Sequence, residues 1–498
     1  MESKAQRGRP IAPAMDALEP RLLLSDGVLI VTDILLMSEF QDVADWYTRK
    51  GYPAEVITTD GVSMQYEGAD LQEAIRNCIR DYHENEGVDY VLLGGDNTLI
   101  PDRNAYVRVG SYVEEAMPTD LYYASLNGTW DEDGDGVYGE AYEDSVTINY
   151  DVVVARYPVR TPGDVQNLFA KVLAYEQSPP ATEWAQRMLA TGTELWNTYA
   201  AGSYGGFDFD RTVSDVEIKT LQADRDYVRA YWSERQLDML FDTYSTWDGA
   251  VAGDYDLDDA NLLAAMSNDY QFMHMGTHGG DKLWALESGY WSSSDIEGLT
   301  QSFNVPIVST MACNTGAFDR TDASLSEAFL RSPNTGTVVY MGCSRYGWGY
   351  SSTSLGPSIK YAYQFYREFL EDGHRLAGEA FAESKEFFAA SSSYNGAERW
   401  IQFGLNLQGD PLVQMYRDDP VSLAPAYSDE ILEGSQTFTI SNLPAGARVC
   451  LWQGDDVYTV GFAEAGGTFS TTIAATAGTV KLTVVAPDAP VFTADITV

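Results

Sequence analysis

From Gly27 onward, short apolar runs alternate with amphipathic stretches of helical length, and this alternation limits most what the chain can fold into. The runs 28 to 32, 54 to 58 and 89 to 93 are bridged by helix-like segments around 38 to 50 and 69 to 85. Parallel strands need a crossover of about a dozen residues, usually a helix, so the pattern predicts a parallel α/β sheet. Residues 94 to 150, rich in Gly, Pro, Asp and Tyr, break the pattern and read as an insertion; a strand over 151 to 155 and a helix over 163 to 177 resume it. A second α/β block follows Pro179-Pro180, with apolar runs at 187 to 192, 270 to 275, 305 to 311 and 335 to 342. Helices are expected near 226 to 236, 258 to 267 and 322 to 331, and then dominate to about 407. Beyond Asp418-Asp419-Pro420 the segments shorten and alternate (436 to 440, 448 to 453, 468 to 473, 479 to 485), which predicts a small all-β sandwich. The expected division is 1–26, 27–180, 181–418 and 421–498.

With 498 residues, 45% of them hydrophobic, the chain has enough apolar material for a large core, so disorder is excluded for most of it. The net charge of −43 argues against nucleic acid or an anionic membrane as partner and favours cations. Four cysteines cannot make a disulfide framework, and no run of about 18 apolar residues forms a transmembrane segment. Residues 1–26 lack the apolar centre of a secretory signal. The stretch Leu18-Glu19-Pro20-Arg21 resembles an element near the N-termini of some large bacterial surface proteins, so 1–26 reads as a sorting segment or a disordered tail, and the chain as secreted or on the bacterial cell surface.

A general base must come from a short list, because only four histidines exist. His83 ends a charged helix and His374 sits in Asp372-Gly373-His374, both surface settings. His274 and His278 lie where an apolar strand enters the glycine-rich turn Gly276-Thr277-His278-Gly279-Gly280, and ligands of parallel sheets gather at such strand ends. Among the cysteines, Cys78 falls on an apolar helix face with Leu71, Ile75 and Ile79, and Cys450 lies on a strand of the sandwich; both read as structural. Cys313 and Cys343 each end an apolar strand. A thiol at a strand mouth becomes a nucleophile if an imidazole is near, which makes Cys313 with His278 one possible pair.

His278-Gly279 and Ala312-Cys313-Asn314, each after an apolar strand, resemble the two motifs of caspase-like cysteine peptidases, and more closely the gingipain family. Further matches run in order: Tyr90 to Asp96 with Ile100-Pro101, Val154-Ala155-Arg156-Tyr157-Pro158, Tyr175-Glu176, and Gly409-Asp410-Pro411-Leu412 before a terminal immunoglobulin-like domain. The resemblance implies a caspase-like parallel-sheet catalytic region in two subdomains and a cysteine endopeptidase acting on protein or peptide substrates. By the same resemblance Cys313 is the nucleophile and His278 manages protons. The N–H groups of Cys313 and Gly279 bind the oxyanion, and Glu194, in Thr191-Gly192-Thr193-Glu194, supports the histidine. It also implies cleavage after a basic residue, with Asp208 or Asp210 in the primary pocket and Trp348 as its flat wall. Thr277 departs from the family, which usually has glycine before the histidine.

Asp131, Asp133 and Asp135 alternate before Gly136, a pattern that turns carboxylates onto one hard cation and predicts structural calcium. The twelfth position is Tyr142, so Glu140, Glu143 or Asp144 must close the shell, with Glu140 favoured. Two readings compete with the peptidase. Zinc held by His274, His278 and Cys313 has a plausible ligand count, although glycines at 276, 279 and 280 disfavour a helical two-histidine face. A non-catalytic surface adhesion module on a degenerate peptidase fold is the other.

Overall fold

Strand β1 (Gly27–Thr32) is buried at every position, as befits a parallel strand covered on both faces. The computed structural model describes residues 26–180, 184–186, 188–192, 237–241, 257–286, 289–320, 323–349 and 356–498. After β1 come β2 (Ala54–Thr58), β3 (Val88–Gly94), the hairpin β4 (Arg103–Val109) and β5 (Tyr112–Thr119), and β6 (Val153–Tyr157). The second block supplies β7 (Met188–Gly192), β8 (Leu237–Phe241), β9 (Phe272–Gly276), a small sheet of β10 (Gly279–Gly280), β11 (Leu283–Leu286) and β12 (Gly289–Ser292), then β13 (Ile307–Thr310), β14 (Val339–Cys343) and β15 (Leu405–Gly409).

Ten of these strands form one sheet in the order β2-β1-β3-β6-β15-β14-β13-β9-β7-β8, and a single apolar core including Leu29, Val91, Tyr157, Phe272, Val308 and Tyr340 runs through both blocks. The sheet is mostly parallel, with one reversal that the sequence pattern conceals. β15 lies in a stretch expected to be helical, pairs antiparallel with β14 (Val339 with Gly409, Cys343 with Leu405) and meets β6 in parallel through Gln408 and Arg156. Hence β2, β1, β3, β6 and β15 run one way and the other five strands the opposite way. Its polar residues explain the misreading. Asn406 and Gln408 are buried, and their side-chain amides donate to Pro118 O and Gly316 O, so groups that look solvent-facing are satisfied inside.

The helix Leu71–Glu86 begins at Asp70, whose carboxylate accepts from the Glu73 N–H and is clamped by two nitrogens of Arg103 at 2.8 and 2.7 Å. Cys78 is buried on its inner face, as the spacing predicts. Residues 94 to 150, read as an insertion, are built into the fold: Pro118, near the base of the hairpin, accepts from Ser344 Oγ. The helix expected near 226 to 236 lies outside the described residues.

At the C-terminus, β16 (Gly434–Ser441), β17 (Arg448–Gln453), β18 (Val457–Phe462), β19 (Thr468–Ala475), β20 (Thr479–Val485) and β21 (Phe492–Thr497) form two antiparallel sheets, β16-β19 and β18-β17-β20-β21. Their shared core includes Ile440, Val449, Leu451, Val480, Leu482 and Ile496. β18 and β21 are absent from the sequence reading because they are edge strands, mostly half-exposed, without the apolar alternation of β17 and β20.

Candidate active site

The strand ends of β7, β9 and β13 are level, since Gly192 pairs with Gly276 and Thr310 with Met275. Beyond β13 the chain stays pinned to its neighbour: Met311 N donates to Met275 O and Ala312 N to Thr310 Oγ1. Cys313 then opens a turn in which Asn314 has φ +61°, a left-handed conformation that asparagine tolerates better than most residues. Asn314 N donates to Arg345 O at 2.8 Å and Gly316 N to Cys343 O at 3.0 Å, so the loop after β14 braces the turn.

That loop also touches the sulfur. Gly347 N donates to Cys313 Sγ at 3.3 Å. Only glycine fits, because a Cβ at 347 would lie 2.2 Å from Met311 O. Burial pushes the Cys313 thiol above its ordinary pKa, with the Gly347 N–H pulling the other way.

His278 is exposed, two residues past β9. Its carbonyl accepts from Ala285 N, and Thr277 Oγ1 donates to Ala285 O, which pins the turn to β11. The threonine that departs from the family pattern therefore makes a partly buried hydrogen bond glycine cannot make. Gly279 lies close against the cysteine motif: a Cβ there would stand 2.8 Å from both Cys313 O and Ala312 Cβ. The structure thus packs Gly279, next to His278, closely against Ala312 and Cys313.

His274 belongs elsewhere. It is buried, its Nδ1 is 2.7 Å from Ser309 Oγ, and burial lowers its pKa to about 4, so the ring is neutral. His274, His278 and Cys313 do not form a convergent metal-ligand group among the described residues. Cys343 is buried and pushed up to about 12 by burial, as are Cys78 and Cys450, so none of the three is a poised thiolate. Trp348 is half-buried beside Gly347, its ring edge-on to Trp400 at 5.5 Å. Glu194, Asp208 and Asp210 lie outside the described residues.

In the acidic loop, Asp131, Asp133 and Asp144 offer carboxylate oxygens all within 4.8 Å of one another. Asp144, named in sequence only as one of three ways to close the shell, belongs to this group, and Glu140, favoured there, does not. Asp135 lies outside this group and accepts from Val137 N at 2.8 Å. Gly134 and Gly136, at φ +76° and +85°, let the loop fold back so tightly. Burial raises the Asp144 pKa, with Asp131 adding to the effect and three backbone N–H groups opposing it. An all-oxygen donor set of carboxylates fits a hard cation such as calcium.

Sequence reading missed Gly347 and Arg345. A glycine four residues past a strand end was the available signal for the first; nothing local marks the second.

A sequence model of peptidase family C25 matches residues 24–416. The chain belongs to peptidase family C25. Gingipain R2 of Porphyromonas gingivalis is 20% identical over 308 residues, which are 60% of this chain and 34% of that protein. Gingipain R1 of the same species is 20% identical over the same length, 25% of its own chain. This C25 chain therefore spans about a third or less of the curated relatives it matches. A solved structure titled as the Arg-specific cysteine proteinase gingipain R superposes with TM-score 0.69 at 17% identity, covering 96% of this chain and 99% of that one. A complex of Porphyromonas gingivalis RgpB pro- and mature domains gives 0.68 at 16%, covering 94% and 99%. The C25 fold is thus shared from the ten-stranded sheet into the terminal sandwich. No helix among the described residues is long and apolar enough to cross a membrane.

Proposed function

We propose that this chain is a cysteine endopeptidase in which Cys313 attacks the peptide carbonyl. The observation that carries the reading is the contact of Gly279 with Cys313 at the level ends of two parallel strands, the setting in which a base and a nucleophile from separate loops meet. His278 takes the thiol proton as Sγ bonds to the carbonyl carbon, then gives it to the leaving amine. The N–H groups of Cys313 and Gly279 receive the oxyanion, and Glu194 orients the imidazole. Water cleaves the resulting thioester and restores the thiol.

For specificity, Trp348 beside Gly347 supports a flat pocket wall, and a carboxylate at Asp208 or Asp210 would select a basic side chain by charge-assisted hydrogen bonding. Structural calcium would be held by Asp131, Asp133 and Asp144, which clamps the acidic loop and supplies no catalytic step. The gingipain relationship and the N-terminal element support secretion or a place on the bacterial cell surface. The deciding experiment compares Cys313→Ala with Cys343→Ala: the first should lose peptide hydrolysis and acyloxymethyl-ketone labelling, while the second keeps both. Full hydrolysis by Cys313→Ala would reject the assignment.

A further inference from the structure

The hairpin β4-β5 is fastened along its length and leaves an aromatic ring at its tip. Near its base Pro118 O accepts from Ser344 Oγ at 3.0 Å and Asn406 Nδ2 at 3.2 Å. Midway, Arg345 donates to Ala116 O at 2.8 Å and lies 3.3 Å from the Glu114 carboxylate. The same guanidinium grips Asp319, just past Cys313, through hydrogen bonds of 3.0 and 2.8 Å. One arginine therefore ties the hairpin of the first block to the nucleophile loop of the second.

At the tip Gly110 turns the chain with φ +59°, and Tyr112 meets Trp348 edge-on, ring centroids 5.4 Å apart at 76°. Trp348 is held from another side by Trp400, and it directly follows the glycine whose N–H lies on Cys313 Sγ. Tyr112 is nonetheless 57% exposed. An exposed ring on a loop tip ordinarily samples several rotamers; here a braced tryptophan fixes it and leaves apolar surface open beside the nucleophile.

We propose that Tyr112 is a substrate-recognition residue: with Trp348 it forms a two-ring corner on the rim of the Cys313 site that takes the apolar part of a peptide side chain next to the scissile bond. This rests on the cysteine-peptidase reading above. Rings fixed in advance cost little ordering entropy when a side chain docks, so the contact strengthens binding rather than the chemical step.

The test measures kcat and KM for wild type, Tyr112→Ala and Tyr112→Phe on a fluorogenic peptide library, alongside the rate at which iodoacetamide alkylates Cys313. That small reagent needs no substrate wall. Tyr112→Ala should raise KM roughly 3- to 10-fold for peptides with bulky or long-stemmed residues flanking the cut, leave kcat and alkylation unchanged, and be rescued by Tyr112→Phe. Unchanged KM across the library in Tyr112→Ala overturns the proposal and leaves the peptidase reading standing. So does a matching fall in alkylation, since the ring would then support the nucleophile instead of the substrate. A wild-type chain that cleaves no member of the library overturns both.

Discussion

The backbone N–H of Gly347 donates to the sulfur of Cys313 at 3.3 Å, so the thiol is held by a loop that follows a different strand, β14. With Asn314 N on Arg345 O and Gly316 N on Cys343 O, main-chain hydrogen bonds help fix the turn carrying the thiol. Backbone bracing of this kind costs no side-chain entropy and, in the proposed reaction, would hold the sulfur in place before substrate arrives.

A side chain at 347 should break that brace. Gly347→Ala puts a Cβ 2.2 Å from Met311 O, and the loop must shift to relieve it. We expect a stability loss of about 1–3 kcal/mol and a fall in kcat exceeding any change in KM. Urea unfolding with steady-state kinetics checks both, and a variant as stable and as fast as wild type contradicts the expectation.

The resting thiol should be protonated. Burial holds its pKa above the ordinary 9.0, so iodoacetamide alkylation of Cys313, measured with the other three cysteines replaced by serine or alanine, should climb with pH to a midpoint above 9. His278→Ala should leave that midpoint in place while abolishing hydrolysis, because proton transfer then belongs to the attack itself. A midpoint well below 9 that rises in His278→Ala would instead reveal a standing thiolate–imidazolium pair.

Calcium should stabilise the native chain through the acidic loop. At a hundredfold excess over its dissociation constant a ligand specific to the folded state adds about 2.7 kcal/mol, and Asp144→Asn should remove most of that gain while Asp135→Asn keeps it. Calorimetry with calcium and with chelator distinguishes the two variants; equal responses would remove Asp144 from the site.

Asp102 should weaken the fold at neutral pH. It is buried, its Oδ2 has no hydrogen-bond partner, and burial raises its pKa from 3.8 to about 6. The folded state therefore binds its proton more tightly than the unfolded state. Its contribution is fully present below about pH 4 and lost as pH rises through 6, a difference on the order of 2–3 kcal/mol. Asp102→Asn should flatten the stability profile between pH 4 and 6 and raise the melting temperature at pH 7; an unchanged slope would show that Asp102 does not titrate there.

What could be read from the sequence follows a physical line. β1, β3, β13 and β14 are continuous apolar runs because both their faces are covered, and the residues at the mouths of β9 and β13 stood out because glycine, histidine and cysteine are conspicuous after such runs. β15 was hidden because its buried Asn406 and Gln408 are satisfied by partners far along the chain, which no local pattern records. The same holds for Arg345, whose meaning lies in Glu114 and Asp319. Asp144 was only one of three acids able to close the acidic loop, since spacing alone does not tell which one folds back.

β15 is the last strand of the ten-stranded sheet to leave the ribosome, yet it lies in the middle, between β6 and β14. Until Gly409 emerges, the nascent chain can hold only two half-sheets, each with an open edge, and the Arg345 clamp between the hairpin and Asp319 has no completed sheet beneath it. Vectorial synthesis thus makes closure of the sheet a late event, in which one short strand covers the edges of β6 and β14 together.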